Sequence, residues 1–166
     1  DDRNDEYNIT LADRKTLGEE LIVNGGFNDD GVDWDTTAAG WSIGGGVATY
    51  SGTAWNDIEQ QLSGVIAGET YRITFTNTTS AGNPLVVYLG GTYASSPYLD
   101  TAGLQSVDLV AGSVDTSLRF YAGSSGVRWQ GTIDNVSVFE SSRARSLIVE
   151  YDSAANTITP VLVDMT

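Results

Sequence analysis

The chain has no cysteine, no histidine and a single lysine, Lys15, among 166 residues. Those absences remove whole classes of chemistry. Without cysteine there is no disulfide, no thiolate nucleophile and no iron–sulfur cluster. Without histidine there is no imidazole to activate a serine and no ring nitrogen to hold zinc. No glycine-rich loop ends in Lys-Ser or Lys-Thr, which excludes a phosphate loop. Positive charge is scarce: 8 Lys+Arg stand against 22 Asp+Glu, a net charge of −14. A nucleic-acid surface needs the opposite sign, so no nucleic-acid partner is expected. No apolar run approaches the roughly 18 residues that cross a bilayer, so no membrane partner is expected either. No signal-peptide pattern opens the chain. It begins at Asp1 rather than Met, as a processed or partial chain would.

What is present is enough apolar material for a core, 40% of residues, spread through short runs. Three zones separate by composition. Residues 1–20 form a polar arm with seven acids and three bases. Thr10 and Asp13 make a weak capping box for a short helix that Gly18 would end. Residues 21–140 are the body, a series of short strands set off by Gly, Ser, Thr and Asn. In 71–76, Tyr71, Ile73 and Phe75 share one face while Arg72, Thr74 and Thr76 share the other. Residues 117–121 repeat the device with Leu118 and Phe120 against Arg119 and Tyr121. Gly44-Gly45-Gly46 is a tight turn between two strands. Nine short strands without a long helix predict an all-β sandwich. Residues 141–166 are a linker and a C-terminal β-hairpin, with Pro160 marking an edge strand. A lone two-stranded hairpin is marginal in water, so this extension is expected to dock on the body or on another chain.

The body contains, in order, Leu21–Phe27 (LIVNGGF), Gly40–Ala48 (GWSIGGGVA), Ile58–Gln60, Ala67–Phe75 (AGETYRITF), Leu118–Phe120 and Ile133–Val138 (IDNVSV). This order resembles carbohydrate-binding modules of families four, nine and twenty-two, which are galactose-binding-like jelly rolls. The wording of Gly40–Ser51 and Gly131–Glu140 is also similar to modules in structural proteins of tailed bacteriophages. The resemblance covers residues 21–140. It implies a calcium ion beside the first and last strands, held by an acid after the Asn-Gly-x-Phe turn and an acid before the closing strand. The closing acid is present as Asp134. Asn28 stands where the first acid is usual, with Asp29 or Asp30 as a substitute if the turn shifts, and Asn brings an oxygen without a charge.

Sugar contact is read from strand parity. The outward set on the middle strands is Asp57, Glu59, Gln61, Arg72, Thr74, Val86, Tyr88, Arg119 and Tyr121. Sharing one sheet, these side chains would form one polar and aromatic face. That face is either a sugar groove or a surface packed on another subunit. Trp41 reads as core and Trp129 as packing at a sandwich end, while Trp34 and Trp55 fall in loops. Trp55 is the first choice as a contact residue. The candidate binding set is therefore Trp55, Glu59, Gln61, Arg72, Tyr88, Arg119 and Tyr121. Asp33/Asp35 and Asp57/Glu59 are same-face acid pairs, the minimum a glycosidase needs at about 5–9.5 Å. No further base or nucleophile accompanies them, and no enzyme activity is expected.

The expected function is a non-catalytic bacteriophage virion protein, a capsid decoration or tail component built on a carbohydrate-binding-like module. Its expected partners are other virion subunits, copies of itself and cell-surface glycan. The alternative is a carbohydrate-binding module of a secreted, extracellular polysaccharide-degrading enzyme.

Overall fold

The structure, a computed structural model of the chain, describes residues 19–81, 85–94, 99, 101–123, 128–141, 145–152 and 157–164. The described residues form strands and turns, without helix. The strands are β1 (Trp41–Gly44), β2 (Val47–Tyr50), β3 (Asp57–Gln61), β4 (Thr70–Ala81), β5 (Val86–Leu89), β6 (Thr92–Ala94), β7 (Gly103–Val110), β8 (Ser117–Tyr121), β9 (Gln130–Glu140), β10 (Arg145–Asp152) and β11 (Thr157–Asp164). One sheet has the order β1-β2-β9-β4-β7 and the other β3-β8-β5-β6. All pairings are antiparallel. The chain passes from one sheet to the other at β2–β3, β3–β4, β4–β5, β6–β7, β7–β8 and β8–β9. That course is a jelly-roll sandwich.

Alternation builds the sandwich. On β4 Tyr71, Ile73, Phe75 and Asn77 are buried while the residues between them stay partly exposed. Ile58 on β3, Val87 and Leu89 on β5, and Leu118 and Phe120 on β8 close the same core from the opposite sheet. The Phe75 and Phe120 rings meet edge-on with centroids 5.0 Å apart. Each fully buried side chain of this size contributes about 1.5–3 kcal/mol of transfer free energy. The β1–β2 turn is the expected glycine turn. Gly45 and Gly46 both have positive φ, 66° and 79°, as a two-residue hairpin loop requires.

Two features depart from simple alternation. On β9 the buried set runs Ile133, Val136, Val138, a change of parity. Its cause is a β-bulge: Thr74 faces Ser137 but Thr76 faces Asp134, with one extra residue on β9. Asn135 absorbs the bend at φ 52°, a left-handed value that Asn tolerates. The segment Leu21–Val23 runs beside β9 on isolated bonds such as Leu21 N–H to the Val138 carbonyl at 3.0 Å and is not itself a strand. Gln60, buried on β3, holds it from the other side. Its side-chain oxygen accepts from Val23 N–H at 2.9 Å and its amide donates to the Val23 carbonyl at 2.8 Å.

The sandwich belongs to one compact unit, Gly18–Ser141, and the hairpin to a second. In the hairpin β10 and β11 pair from Arg145 opposite Asp164 to Asp152 opposite Thr157, with Val149 facing Pro160. Among the described residues β11 has a single neighbour, which leaves Pro160 on an edge as expected. The arm up to Gly18, with its expected short helix, lies outside the described residues.

Candidate functional site

The outward face of β3, β8 and β5 gathers most of the candidate binding residues in two cross-strand rows. In one row Glu59 faces Arg119, which faces Tyr88; in the next Asp57 faces Tyr121, which faces Val86. Gln61 lies opposite Ser117 at the end of β3. One-sided burial of these strands explains the shared direction, since Ile58, Gln60, Leu118, Phe120 and Val87 occupy the inward positions.

Arg119 is the hub. Its Nε lies 2.7 Å from Glu59 Oε2 and 3.9 Å from Asp57 Oδ2, and its Nη2 lies 2.9 Å from Asp115 Oδ2. Nε also donates to Ser117 Oγ at 2.8 Å, and Nη1 reaches Tyr121 Oη at 3.4 Å. The guanidinium carbon stands 5.3 Å from the Tyr88 ring centroid, within cation–π range. With its side chain 25% exposed, Arg119 is screened from bulk water but not removed from it. The Tyr121 hydrogen bond, with the charges of Glu59 and Asp115, holds the guanidinium above its usual pKa despite partial burial. Burial, reinforced by the Asp115 charge, raises the Tyr88 phenol, which therefore stays a neutral hydroxyl well past neutrality.

The aromatic wall continues to Trp55. Its ring lies 5.5 Å from Tyr121, and Tyr121 lies 6.1 Å from Tyr88. Trp55 is 57% exposed, yet its loop is pinned on both sides. Tyr50 Oη donates to the Ala54 carbonyl. The Asn56 carbonyl accepts from Trp41 Nε1 at 3.2 Å and from Ala122 N–H at 3.1 Å, and Asn56 Nδ2 donates to the Ala39 carbonyl at 2.6 Å. An exposed indole on a fixed backbone is pre-organised for contact, which lowers the ordering cost of binding. Beside this face a cleft of about 350 Å³ is lined by Val23, Asp33, Asp35, Glu59, Gln60 and Gln61. Thr37 N–H donates to Asp35 Oδ1 at 2.8 Å and lowers the pKa of that carboxyl.

Arg72 is not part of this face. It belongs to β4 in the five-stranded sheet, where its guanidinium forms a bidentate pair with Asp108 at 2.8 Å on both arms. Thr74 shares that sheet. The other loop tryptophan, Trp34, is core: it is 6% exposed, lies 5.0 Å from Phe27 and donates its Nε1–H to the Asn24 carbonyl at 3.1 Å. Asp115 is the participant that the strand pattern missed. It precedes β8 and reaches Arg119 from four residues away, held by Ser117 N–H and Oγ on its other oxygen.

The residues implied for calcium are placed as follows. Asn28 and Asp29 are exposed in the turn after Phe27. Asn28 N–H donates to Asn24 Oδ1 at 2.8 Å. Asp134 precedes the β9 bulge, and both its oxygens accept from Asn135, at 2.6 Å from the backbone N–H and 3.0 Å from Nδ2. Among the described residues no group of three or more acidic side chains is placed to hold a metal ion. An ion bound there would share the Asp134 carboxylate with these two bonds from Asn135.

No family model matches the chain, and no curated protein matches it. Among solved structures it is similar to the CBM35 from Paenibacillus barcinonensis. That match has 19% identity and a TM-score of 0.40, and covers 64% of this chain and 88% of that one. The sequence resemblance pointed to families four, nine and twenty-two, not to that family. The sandwich assignment stands on this chain's own strand order and registers.

Proposed function

We propose that the sandwich is a non-catalytic carbohydrate-binding module whose glycan lies across the outward face of the four-stranded sheet. The observation that carries this reading is Trp55, largely exposed on a pinned loop and set against Tyr121. Sugar rings bury their C–H faces on aromatic rings, and their hydroxyls need nearby acceptors, which Asp57, Glu59 and Gln61 supply. Asp57 and Glu59 both approach the same nitrogen of Arg119 instead of flanking a gap that a glycosidic bond could enter. Their geometry suits the ordering of a binding face better than acid–base chemistry. Screening the purified chain on a broad array of neutral, basic and acidic glycans tests the reading. Clear binding that falls about tenfold or more in Trp55→Ala and Tyr121→Ala, with the fold intact by circular dichroism, is the expected result. A blank array sinks it.

For the setting we propose a bacteriophage virion subunit that assembles with copies of itself or with other virion subunits through the C-terminal extension. The wording of Gly40–Ser51 and Gly131–Glu140 supports this. A stable oligomer in solution is expected. A monomer at every accessible concentration would remove the self-assembly reading and favour a module of a secreted polysaccharide-degrading enzyme.

A further inference from the structure

The binding face has an excess of one charge, and its acceptors are unevenly used. Three carboxylates, Asp57, Glu59 and Asp115, share the single guanidinium of Arg119. Asp115 is the most heavily used: Oδ1 accepts from Ser117 N–H and Ser117 Oγ–H, both at 2.9 Å, and Oδ2 accepts from Arg119. Glu59 spends Oε2 on Arg119, which leaves Oε1. Among the described residues Asp57 accepts no side-chain hydrogen bond, and its nearest cation is Arg119 Nε at 3.9 Å. With its side chain 24% exposed, Asp57 remains within reach of a ligand. It stands opposite Tyr121 and two residues from Trp55, so the underused carboxylate borders the aromatic wall. Asp33 and Asp35 line the neighbouring cleft together with Glu59 and extend the negative field. A concave surface of one sign focuses potential and selects ligands of the opposite sign.

We propose that the glycan recognised here carries a free amine, with its ammonium group against Asp57 and the spare oxygen of Glu59 and its ring face on Trp55. This inference rests on the glycan-binding reading and adds the charge of the ligand. An ammonium supplies the cation that one arginine cannot give to three acids. An N-acetylated sugar keeps the ring face but loses the charge, and a uronate places like charge against the carboxylates.

The test is calorimetric titration of the purified chain at mildly acidic pH, where the sugar amine is protonated. The probes are glucosamine oligosaccharides, their N-acetylated counterparts of equal length, and galacturonate oligosaccharides. The amine series is expected to bind about tenfold more tightly than the N-acetylated series, the scale of one charge-assisted hydrogen bond. Galacturonate should not bind. Asp57→Asn should bring the amine series down to the affinity of the N-acetylated series, and Trp55→Ala should weaken both. Equal or tighter binding of the N-acetylated series, still dependent on Trp55, overturns the inference and leaves the glycan reading standing. Amine binding that survives Trp55→Ala is general attraction to an acidic chain and also overturns it. Failure of all three probes when the array finds another ligand overturns this inference alone, whereas a blank array removes the glycan reading beneath it.

Discussion

The two outward faces of the sandwich are built by the same strand alternation and differ in what stands beside each charge. On the five-stranded sheet, Arg72 meets Asp108 one to one across β4 and β7, with side chains 38% and 44% exposed. Phe139 stands opposite Arg72 on β9, and farther along the same strands Thr78 and Thr132 bond to one another through Oγ1 at 2.5 Å. That face is a solvated surface with a closed ion pair. On the four-stranded sheet, Arg119 is shared among three acids and two tyrosines, with Trp55 beyond them. The first arrangement closes its charge within one pair. The second leaves acceptor capacity beside an aromatic wall. An arginine therefore says little by itself; the number and exposure of its partners separate a surface ornament from an organising centre.

Removing each arginine tests the comparison most strongly. Arg119→Ala leaves Glu59 and Asp115 without their cation and removes the ring contact to Tyr88. A loss of about 2 kcal/mol is expected after allowance for partial exposure. In a chain of this length that lowers Tm by about 4–8 °C. Arg72→Ala should cost less than about 1 kcal/mol, as exposed pairs do. Thermal melts of both variants measure the difference, and equal losses would erase the distinction drawn between the faces.

Calcium would sharpen the contrast by giving the five-stranded sheet a ligand of its own. The family resemblance implies an ion at Asn28, Asp29 and Asp134, against which the geometry sets the two hydrogen bonds from Asn135 to Asp134. If the ion binds, an excess tenfold over its Kd adds about 1.4 kcal/mol of stability, and Asp134→Ala removes the gain. Melting curves that do not move across millimolar calcium would take the ion out of the account and leave the binding chemistry to the other sheet.

Much of the sandwich was legible along the chain, because a half-buried strand writes its two faces alternately. The parity of β3, β5 and β8 placed Glu59, Tyr88, Arg119 and Tyr121 on one side, and the structure has them there. The hairpin at Gly45-Gly46 was legible for a similar local reason, since both positions need positive φ. Arg72 was misplaced because parity gives a side of a strand and is silent about which sheet the strand joins. Trp34 and Trp55 carried the same signal, an aromatic in a loop. Only one of those loops folds its ring inward beside Phe27 and Phe120.

The sequence by itself determined the class of fold, the outward and inward sets of each strand, and the exclusion of thiol, imidazole and phosphate-loop chemistry. These follow from residue type and period two, which are local properties. Only the tertiary structure decided that β4 leaves the four-stranded sheet, that Asp115 returns to Arg119, and that the bulge at Asn135 resets the parity of β9. It also decided that Gln60 spends its amide on Val23 inside the fold. Apart from Asp115, which reaches Arg119 from four residues away, each of these is a pairing between segments distant in the chain, settled by the competition of many strands for neighbours and for buried hydrogen bonds. No single stretch of sequence contains that competition.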